Sequence, residues 1–333
     1  MFLVSSYTLA VVFTIITMLC WGSWGNTQKL SAAKTWRFEL YYWDYVIGLL
    51  LTTLIAAFTL GSTGTEGRSF LADWSQADTA NLVTAMLGGA VFNLSNILLS
   101  AAMAVAGMAV AFPVGVGLAL VLGVLVNYAA APYGNAGLLF IGVGLVVVAI
   151  ILDAVAYRRV NRSTGNVSVK GIALAIAAGV LMSFFYRFVA ASMSDDFANP
   201  AAGKLTPYTA LVCFGIGVFI SNFLFNTILM KRPISGSALS YKDYFKGNFL
   251  THLTGVLGGI IWCIGMLLNI LAAGKAGYAI SYGLGQGATL VAALWGVFIW
   301  KEFKSNDPNV KKLVTLMFLF FLSGIVLLVL AGM

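Results

Sequence analysis

Charged residues are scarce in this sequence. Asp, Glu, Lys and Arg together make up 9% of its 333 residues, whereas a soluble domain contains about 25%. Hydrophobic residues reach 60%, which is more apolar surface than one soluble core can bury. The composition therefore excludes an ordinary soluble protein and predicts helices that are covered by lipid.

Histidine and cysteine are also rare. The chain has one histidine and three cysteines, and Cys20, Cys213 and Cys263 all lie within apolar stretches. These cysteines fit the role of small packing residues better than that of a disulfide framework or a metal site. The sequence also contains no Walker A motif, no HExxH motif and no GxSxG motif in a strand–turn–helix context. We therefore predict no metal, no cofactor, no ATP hydrolysis and no enzymatic activity.

Long apolar stretches are what the sequence has in abundance. Ten of them, each roughly 20–25 residues long, could cross the ~30 Å hydrocarbon core of a membrane as an α-helix. They lie at about 5–27, 41–61, 81–103, 106–129, 136–157, 169–192, 207–230, 247–271, 277–299 and 311–331. The predicted fold class is an all-α polytopic membrane protein with ten transmembrane helices.

Positive charge falls in alternate gaps between these stretches. The gaps after the first, fifth, seventh and ninth stretches hold 15 of the 19 Lys and Arg residues. These are Lys29, Lys34, Arg37, Arg158, Arg159, Arg162, Lys170, Lys231, Arg232, Lys242, Lys246, Lys301, Lys304, Lys311 and Lys312. By the positive-inside rule this face is cytoplasmic and both termini are extracytoplasmic, in a cell (inner) membrane. Topology and anionic lipid head groups explain the net charge of +8 better than nucleic acid does.

An internal repeat relates the two halves of the chain. When the sequence is shifted by 170 residues, 88–128 falls on 258–298 without a gap. The aligned glycines are Gly88 and Gly258, Gly89 and Gly259, Gly107 and Gly277, Gly115 and Gly285, and Gly117 and Gly287. A repeat of five spans reverses its direction across the membrane, so we predict a 5+5 inverted repeat. It comprises 1–157, a cytoplasmic linker at 158–168, and 169–333, and such repeats are typical of secondary transporters with a substrate site near the midplane.

Several segments resemble a known superfamily. They are CWGSWGNTQKL, GGAVFNLSNILLSAAMAVAGMAVAFPVGVGLALVLGVLVNY and GGIIWCIGMLLNILAAGKAGYAISYGLGQGATLVAALWGVFIWKEF. These segments are similar to the drug/metabolite transporter superfamily, and within it to the glucose/ribose porter (sugar uptake) group and the related plant ureide permeases. KTWRFELYYWDY is similar to the L-rhamnose–proton symporters. The resemblance implies gradient-driven uptake of a small polar solute and does not choose between a sugar and a ureide.

Small residues interrupt the fourth and ninth stretches. The structural glycines predicted there are Gly115, Gly117, Gly285 and Gly287. They indicate close helix packing, a thinned wall against which a substrate lies, or both. Pro113 stands beside the first pair, whereas Gly283 stands at the equivalent place in the ninth stretch. We therefore predict an interruption of the fourth helix that the ninth helix lacks.

Polar and aromatic side chains at membrane depth mark the candidate substrate site, because they cost free energy in lipid unless they face the bundle interior. The predicted substrate-binding residues are Asn93, Asn96, Trp262, Tyr282, Gln286, Trp21 and Trp24. Trp262 offers a flat surface for a ring, and the amides offer hydrogen bonds. The alternatives are an interhelical hydrogen bond for Asn93 and Gln286, and core packing for Trp262.

Two aromatic pairs suggest gates. Trp21 and Trp24 lie near the predicted cytoplasmic end of the first helix and indicate either an interfacial aromatic belt or an inner gate. Tyr278 and Tyr282 open the ninth helix and are candidates for the opposite gate.

Few ionisable residues enter the spans. Asp44 is the predicted proton-coupling carboxylate, and the alternative is a helix-end acid paired with a nearby Lys or Arg. Arg187 is the only basic residue within a span, so we include it as a proton-coupling candidate, although it could snorkel outwards. His252, the only histidine, indicates a structural residue or a proton relay.

The function predicted from these features is a secondary active transporter. It imports a small neutral polar solute, most plausibly a monosaccharide, by proton symport with alternating access. The alternatives are a ureide or nucleobase permease of the same fold and a drug or metabolite exporter. The expected partners are the solute, protons and the lipid bilayer, and the sequence leaves a homodimer open.

Overall fold

The computed structural model describes residues 1–33, 35–160, 168–301, 303–305 and 307–333. Within these ranges the chain forms thirteen α-helices, one short π-helix and no β-strand. The helices are α1 Tyr7–Ala32, α2 Phe38–Phe58, α3 Phe70–Gln76, α4 Thr79–Ala106, α5 Met108–Ala130, α6 Ala136–Val160, α7 Val169–Ser192, α8 Pro207–Lys231, α9 Tyr241–Tyr244, α10 Phe249–Ala276, α11 Tyr278–Gln286, α12 Ala288–Leu294 and α13 Pro308–Leu330, with the π-helix at Trp295–Ile299.

Ten segments of the described chain are long and apolar enough to cross a membrane. α3 and α9 are short helices between spans, and the ninth span, Tyr278–Ile299, combines α11, α12 and the π-helix. Helices satisfy their own backbone hydrogen bonds, which lipid cannot do for an extended chain. The predicted all-α class with ten transmembrane helices is confirmed.

The two halves of the chain interlock. α4 packs mainly against α7 and α8, whereas its repeat counterpart α10 packs mainly against α1 and α2. Glycines bring these helices close together. A Cβ at Gly89 would overlap the carbonyl oxygen of Phe214 on α8, and a Cβ at Gly259 would overlap the carbonyl oxygen of Tyr45 on α2. Each half thus covers helices of the other through small-residue contacts.

The α4–α5 and α10–α11 hairpins turn at equivalent glycines. Gly107 has φ 81° and ψ 159°, and Gly277 has φ 74° and ψ 157°. Only glycine adopts this combination without strain. The two aligned glycines therefore turn the chain in the same way, while the 5+5 inverted repeat stays a prediction. The predicted linker at 158–168 falls largely on residues 161–167, which lie outside the described ranges.

The predicted interruption at Pro113 is wrong, because α5 runs through this residue as a continuous helix. Pro113 lies within the first two turns of α5, where it removes only one helical hydrogen bond. The break occurs instead in the ninth span, at Gly287, whose N–H is shared between the carbonyls of Gly283 and Leu284. Glycine-rich sequence has low helix propensity, so the helix tightens and restarts there.

Both termini lie on one face of the bundle. The Met1 amino group donates a hydrogen bond to the Glu66 carbonyl, between α2 and α4, and the Ala331 carbonyl accepts one from the N–H of Asn135, between α5 and α6. On the opposite face, Lys170 at the start of α7 donates to the carbonyl of Ile234, between α8 and α10. The basic clusters and the termini are therefore on opposite faces, and the positive-inside rule predicts that the basic face is cytoplasmic.

This orientation predicts the behaviour of reporter fusions in a bacterial host. Alkaline phosphatase fused after Met333 should be active, because the enzyme folds only outside the cytoplasm, whereas a fusion in the 157–168 loop should be inactive. A cytoplasmic fluorescent reporter at the same two positions is the control and should give the reverse pattern. An active loop fusion with an inactive C-terminal fusion would contradict the charge argument.

Candidate functional site

An aromatic cavity lies between the two halves at the middle of the bundle. The Trp21 and Trp262 rings stack with centroids 5.6 Å apart and planes 10° apart. Phe92 and Trp262, which the repeat aligns, meet at 4.0 Å between ring centroids. Equivalent residues of an inverted repeat meet only near its pseudo-twofold axis. The residues lining the cavity are Trp21, Trp24, Phe92, Asn96, Leu99, Phe112, Val116, Met182, Phe185, Trp262, Gln286 and Ala288.

Two carboxamides are the polar side chains of this lining, apart from the indole N–H groups. Asn96 on α4 is 1% exposed and Gln286 at the end of α11 is 3% exposed. Asn96 Nδ2 donates to the Tyr42 hydroxyl at 3.3 Å, whereas its Oδ1 is buried without a hydrogen-bond partner. Asn96 therefore presents an unused acceptor, and Gln286 lies where the ninth span breaks at Gly287. The cavity measures about 20 Å³ in this conformation, so a solute would fit only after the walls move.

Two predicted substrate-binding residues do not line this cavity. Asn93 Nδ2 donates to the Ser221 hydroxyl on α8 at 2.9 Å, which is the interhelical hydrogen bond given above as the alternative. The Tyr282 hydroxyl donates to the carbonyls of Ala119 and Met182, at 3.2 and 3.1 Å. The structure therefore separates Asn93 and Tyr282 from the cavity, although each lies close to it in sequence and depth.

The expected position of Trp21 and Trp24 near a helix end is wrong. α1 continues to Ala32, past the predicted end at residue 27, which moves both indoles towards the middle of the span. The Trp21 Nε1–H donates to the Trp262 carbonyl at 3.1 Å, and the Trp24 ring contacts Tyr45 at 5.2 Å between centroids. Both are buried wall residues of the cavity and not an interfacial belt.

A larger vestibule lies between the cavity and the basic face. Its volume is about 390 Å³. It is lined by Gly25, Gln28, Lys29, Ala32, Thr35, Trp36, Arg37, Phe38, Glu39, Met103, Ala104, Gly107, Met108 and Ser235. Both spaces are lined by the same three helices. One turn of each of α1, α4 and α5 lines the cavity, and the adjacent turn lines the vestibule. The vestibule is thus the path between the cavity and the basic face.

The barrier between cavity and vestibule is apolar. Gly25 on α1 approaches Met108 and Phe112 on α5, since a Cβ at Gly25 would lie 3.4 Å from both side chains. The repeat aligns Met108 with Tyr278 and Phe112 with Tyr282, the pair predicted as the opposite gate.

On the side of the termini the closure is more polar. The Tyr186 ring lies 5.2 Å from the tilted Tyr282 ring and meets the Tyr278 ring edge-on at 6.3 Å between ring centroids. Its hydroxyl lies 3.1 Å from the Ser281 hydroxyl. The cavity is closed more firmly towards the termini than towards the vestibule, because hydrogen bonds as well as ring contacts hold this layer.

A buried acid–histidine–tyrosine cluster lies close to the vestibule. Asp44 on α2 has a 2% exposed side chain and contacts His252 Nδ1 on α10 through both carboxylate oxygens, at 2.9 and 3.0 Å. The Tyr244 hydroxyl on α9 donates to Asp44 Oδ1 at 2.6 Å. Burial, followed by the neighbouring Asp44 carboxylate, raises the pKa of Tyr244, so its hydroxyl remains a proton donor.

The pairing of Asp44 differs from that of two other buried acids near helix ends. Glu39 is ion-paired with Arg37, and Asp73 is ion-paired with Arg68. Asp44 has no Lys or Arg partner within the described part of the chain, and its ionisable contact is His252. The alternative of an Asp44–Lys or Asp44–Arg pair is therefore wrong for the described residues.

Arg187 lies far from this cluster. It sits near the end of α7 on the side of the termini, next to Tyr186, and is partly exposed. No ion pair joins Arg187 to a described acidic residue. The structure thus does not bring the two proton-coupling candidates together.

The four predicted structural glycines all make close contacts. A Cβ at Gly115 would lie 2.9 Å from Leu99, and one at Gly117 would lie 2.7 Å from Ile150. A Cβ at Gly285 would lie 2.8 Å from the Trp21 ring, and one at Gly287 would lie 3.2 Å from the Met18 sulfur. Close packing and a wall beside the cavity are both present, since Gly285 touches a residue that lines the cavity.

Sequence reasoning missed several of these residues. Phe112, Phe185 and Met182 line the cavity, but single apolar residues in apolar helices carry no distinguishing signal. The 170-residue shift could have identified Phe112, because it aligns Phe112 with Tyr282, which was itself predicted to bind substrate. Within the described ranges, no group of three or more His, Cys, Asp or Glu side chains is arranged to hold a metal ion.

Comparisons with known proteins give one consistent result. A family model described as ureide permease matches residues 41–163 and 153–331. Ureide permease 2 of Arabidopsis thaliana is 24% identical over 395 aligned positions, covering 98% of this chain and 98% of the relative. Ureide permease 1 of the same plant is 23% identical over 98% of each chain. The probable ureide permease A3 of Vigna unguiculata is 22% identical over 92% of this chain and 98% of its own length.

The fold also matches a solved structure. A crystal structure with 15% sequence identity superposes with a TM-score of 0.57 and covers 97% of this chain and 97% of its own. This likeness concerns the fold alone.

Proposed function

We propose, because this chain belongs to the ureide permease family, that it carries a small ureide-like solute across the membrane through the central cavity. Family membership makes the chain a membrane transporter and not an enzyme. The observation that carries the choice of solute is the cavity lining, which combines aromatic faces with two carboxamides, Asn96 and Gln286.

A planar ring matches this lining better than a sugar does. Trp21, Trp262 and Phe92 pack on one another in this conformation, and a conjugated ring could stack between them when the walls separate. The edge of a cyclic ureide alternates N–H donors and C=O acceptors, which pair with a carboxamide through two parallel hydrogen bonds. In this proposal the unused Oδ1 of Asn96 accepts an N–H of the solute, and Gln286 is the second carboxamide in the lining.

A monosaccharide lacks the conjugated face that a planar ring offers to these aromatic side chains. The several hydroxyls of a hexose each donate and accept, and each one stranded in a buried site costs about 1–3 kcal/mol. The relatives that match this chain are ureide permeases, which supports the ureide alternative over the monosaccharide favoured by the sequence analysis.

We also propose that the proton gradient drives transport by this chain. Asp44 is buried, ionisable and free of Lys and Arg partners among the described residues, and it lies beside the vestibule. A buried carboxylate of this kind takes up and releases a proton more readily than one held by arginine.

The solute class can be tested with purified protein in proteoliposomes. Radiolabelled allantoin, a ureide with a planar ring, should enter vesicles preloaded with unlabelled allantoin. Unlabelled uracil should compete with it, whereas glucose should not. Competition by glucose, together with glucose counterflow and no allantoin counterflow, would restore the monosaccharide interpretation.

Two asparagines one helical turn apart provide a matched pair of variants. Asn96→Ala should weaken allantoin affinity by about 1–3 kcal/mol, or roughly 5- to 150-fold, because a buried N–H of the solute loses its acceptor. Asn93→Ala should leave affinity unchanged, because its amide bonds Ser221 outside the cavity. Binding is measured by counterflow at graded concentrations, after gel filtration has shown that both variants are folded. Equal losses of affinity in the two variants would contradict this assignment of the cavity wall.

A further inference from the structure

The segment between α8 and α10 lies at the rim of the vestibule, to which it contributes Ser235. We call residues 232–248 the inner lid; it contains α9. Arg37 Nη2 donates to the Ser235 carbonyl at 3.1 Å, and its Nη1 donates to the Ser237 carbonyl. Lys170 donates to the Ile234 carbonyl at 2.7 Å. Ser235 itself lines the vestibule, so this lid forms part of the vestibule wall at the basic face.

One end of the lid is fastened to the buried cluster. Tyr244 donates its 2.6 Å hydrogen bond to Asp44, and its ring lies 4.7 Å from the His252 ring. Trp36, which lines the vestibule, meets the His252 ring edge-on at 5.4 Å. Lid, vestibule wall and ionisable pair are therefore in direct contact.

The titratable groups facing Asp44 can be named from each neighbouring element. Tyr41 approaches on α2 itself, His252 approaches from α10, and Tyr244 approaches from the lid. No cation other than His252 compensates the Asp44 charge within the described chain. With a neutral histidine, the Asp44–His252 pair carries a net charge of −1, and one added proton makes it neutral. Burial favours the neutral pair, because isolated charge is costly in a low-dielectric site.

We propose that Asp44 and His252 jointly bind the coupling proton and that Tyr244 couples its presence to opening of the inner lid. The proposal rests on the proposed function and identifies the ion site of the same transporter. His252 is 25% exposed while Asp44 is 2% exposed, so protons exchange through the histidine on the vestibule side.

Proton binding weakens the hydrogen bond from Tyr244 to Asp44, which holds the lid in place. A hydrogen bond to a carboxylate is roughly twice as strong as one to a neutral acceptor. When the pair gains a proton, Asp44 offers Tyr244 a weaker acceptor, and the lid opens the vestibule. Loss of the proton through the vestibule restores the carboxylate and closes the lid.

The cluster also has a direct connection to the cavity. Asp44 lies on α2 between Tyr42, which accepts the Asn96 amide hydrogen bond, and Tyr45, which contacts Trp24. His252 lies ten residues before Trp262 on α10, or about 15 Å along the helix. The proton and the solute therefore occupy separate sites joined by α2 and α10, and coupling passes through the packing of these helices.

Lid opening can be measured without any solute. A cysteine introduced as Met103→Cys lies in the vestibule wall and is buried in this conformation. Because maleimide reacts with the thiolate, labelling is expressed at each pH relative to the same cysteine in denatured protein. This relative labelling in detergent-solubilised protein should rise several-fold as the pH falls from about 8 to 5. The protein without Met103→Cys corrects for labelling of the native cysteines.

Variants of Asp44, His252 and Tyr244 distinguish proton binding from the attachment of the lid. Added to Met103→Cys, Asp44→Asn and His252→Gln should each remove the pH dependence of labelling. Tyr244→Phe should give fast labelling at every pH, because the lid has lost its fastening. Arg187→Gln, on the opposite side of the bundle, should behave like the parent. Unchanged pH dependence in Asp44→Asn or His252→Gln would overturn the proposal, as would its loss in Arg187→Gln alone.

Transport assays complete the test and distinguish the two proposals. In proteoliposomes Asp44→Asn and His252→Gln should lose proton-driven accumulation of labelled allantoin but retain allantoin counterflow. Concentrative uptake by either variant would overturn the proton site. Absence of allantoin counterflow in the wild type would count against the solute class alone, since the labelling experiment reports the proton site independently.

Discussion

Replacement of Trp262 by alanine is expected to reduce allantoin affinity more than any other single change in the cavity. Trp262 lines the cavity and contacts Trp21 and Phe92, so a planar ring would rest on its face once these neighbours move aside. Stacking on one aromatic side chain is worth about 1–3 kcal/mol for a planar base, or roughly 5- to 150-fold in affinity. The change also frees Trp21 to collapse into the space, which should bring the loss to the upper end of that range.

Stability must be separated from binding in this experiment, because truncating a buried Trp costs about 3–5 kcal/mol of folding free energy. Trp262→Phe keeps an aromatic face and should show a milder loss of affinity. Phe214→Leu is the matched control: Phe214 stacks on Trp262 at 5.8 Å but does not line the cavity. It should lower the unfolding temperature and leave affinity unchanged. Trp262→Ala protein that is folded and binds allantoin with wild-type affinity would place the solute elsewhere.

Replacement of Gly259 by alanine should have the largest effect on stability. Its Cβ would overlap the Tyr45 carbonyl oxygen, and neither backbone can move without separating α2 from α10. Overpacking that shifts the backbone typically costs about 1–3 kcal/mol, and the direct overlap with a carbonyl oxygen puts Gly259→Ala at or above the upper end of that range. We expect little folded protein after gel filtration in detergent and a clearly lower unfolding temperature for the part that folds.

Gly144→Ala is the control for the glycine experiment. Gly144 lies in α6 with nothing within 4 Å of the position that a Cβ would take. Alanine should be tolerated there or slightly stabilising, because it has the higher helix propensity. Gly89→Ala, at the position aligned with Gly259, should repeat the loss. Equal unfolding temperatures for Gly259→Ala and Gly144→Ala would contradict the interlocked packing.

The ten spans could be predicted from the sequence because each needs only length and apolar composition. The break in the ninth span could not be predicted in the same way. Proline at 113 looked like the stronger helix breaker, but its place near the start of α5 made it harmless. Three glycines spaced by single residues, Gly283, Gly285 and Gly287, tightened the other helix instead.

The candidate site was only partly predictable. Asn96, Gln286 and Trp262 follow from the rule that polar and aromatic residues at membrane depth face the interior. That rule gives depth but not direction, so it could not separate Asn96 from Asn93, which points to α8. Asp44 and His252 are in contact although they are 208 positions apart in the sequence. No local sequence pattern predicts a contact between residues so far apart.

The interlocked packing has an evolutionary consequence. α4 of the first half fits against α8 of the second, and α10 of the second fits against α2 of the first, each at a glycine that admits no side chain. A single five-helix half would leave these grooves open to lipid and would lack one wall of the cavity. An ancestor of that size could have filled them only by pairing with a second copy inserted in the opposite direction. We propose that fusion of two such copies fixed that antiparallel pairing in a single polypeptide, after which the two halves diverged, at Phe92 and Trp262 for example.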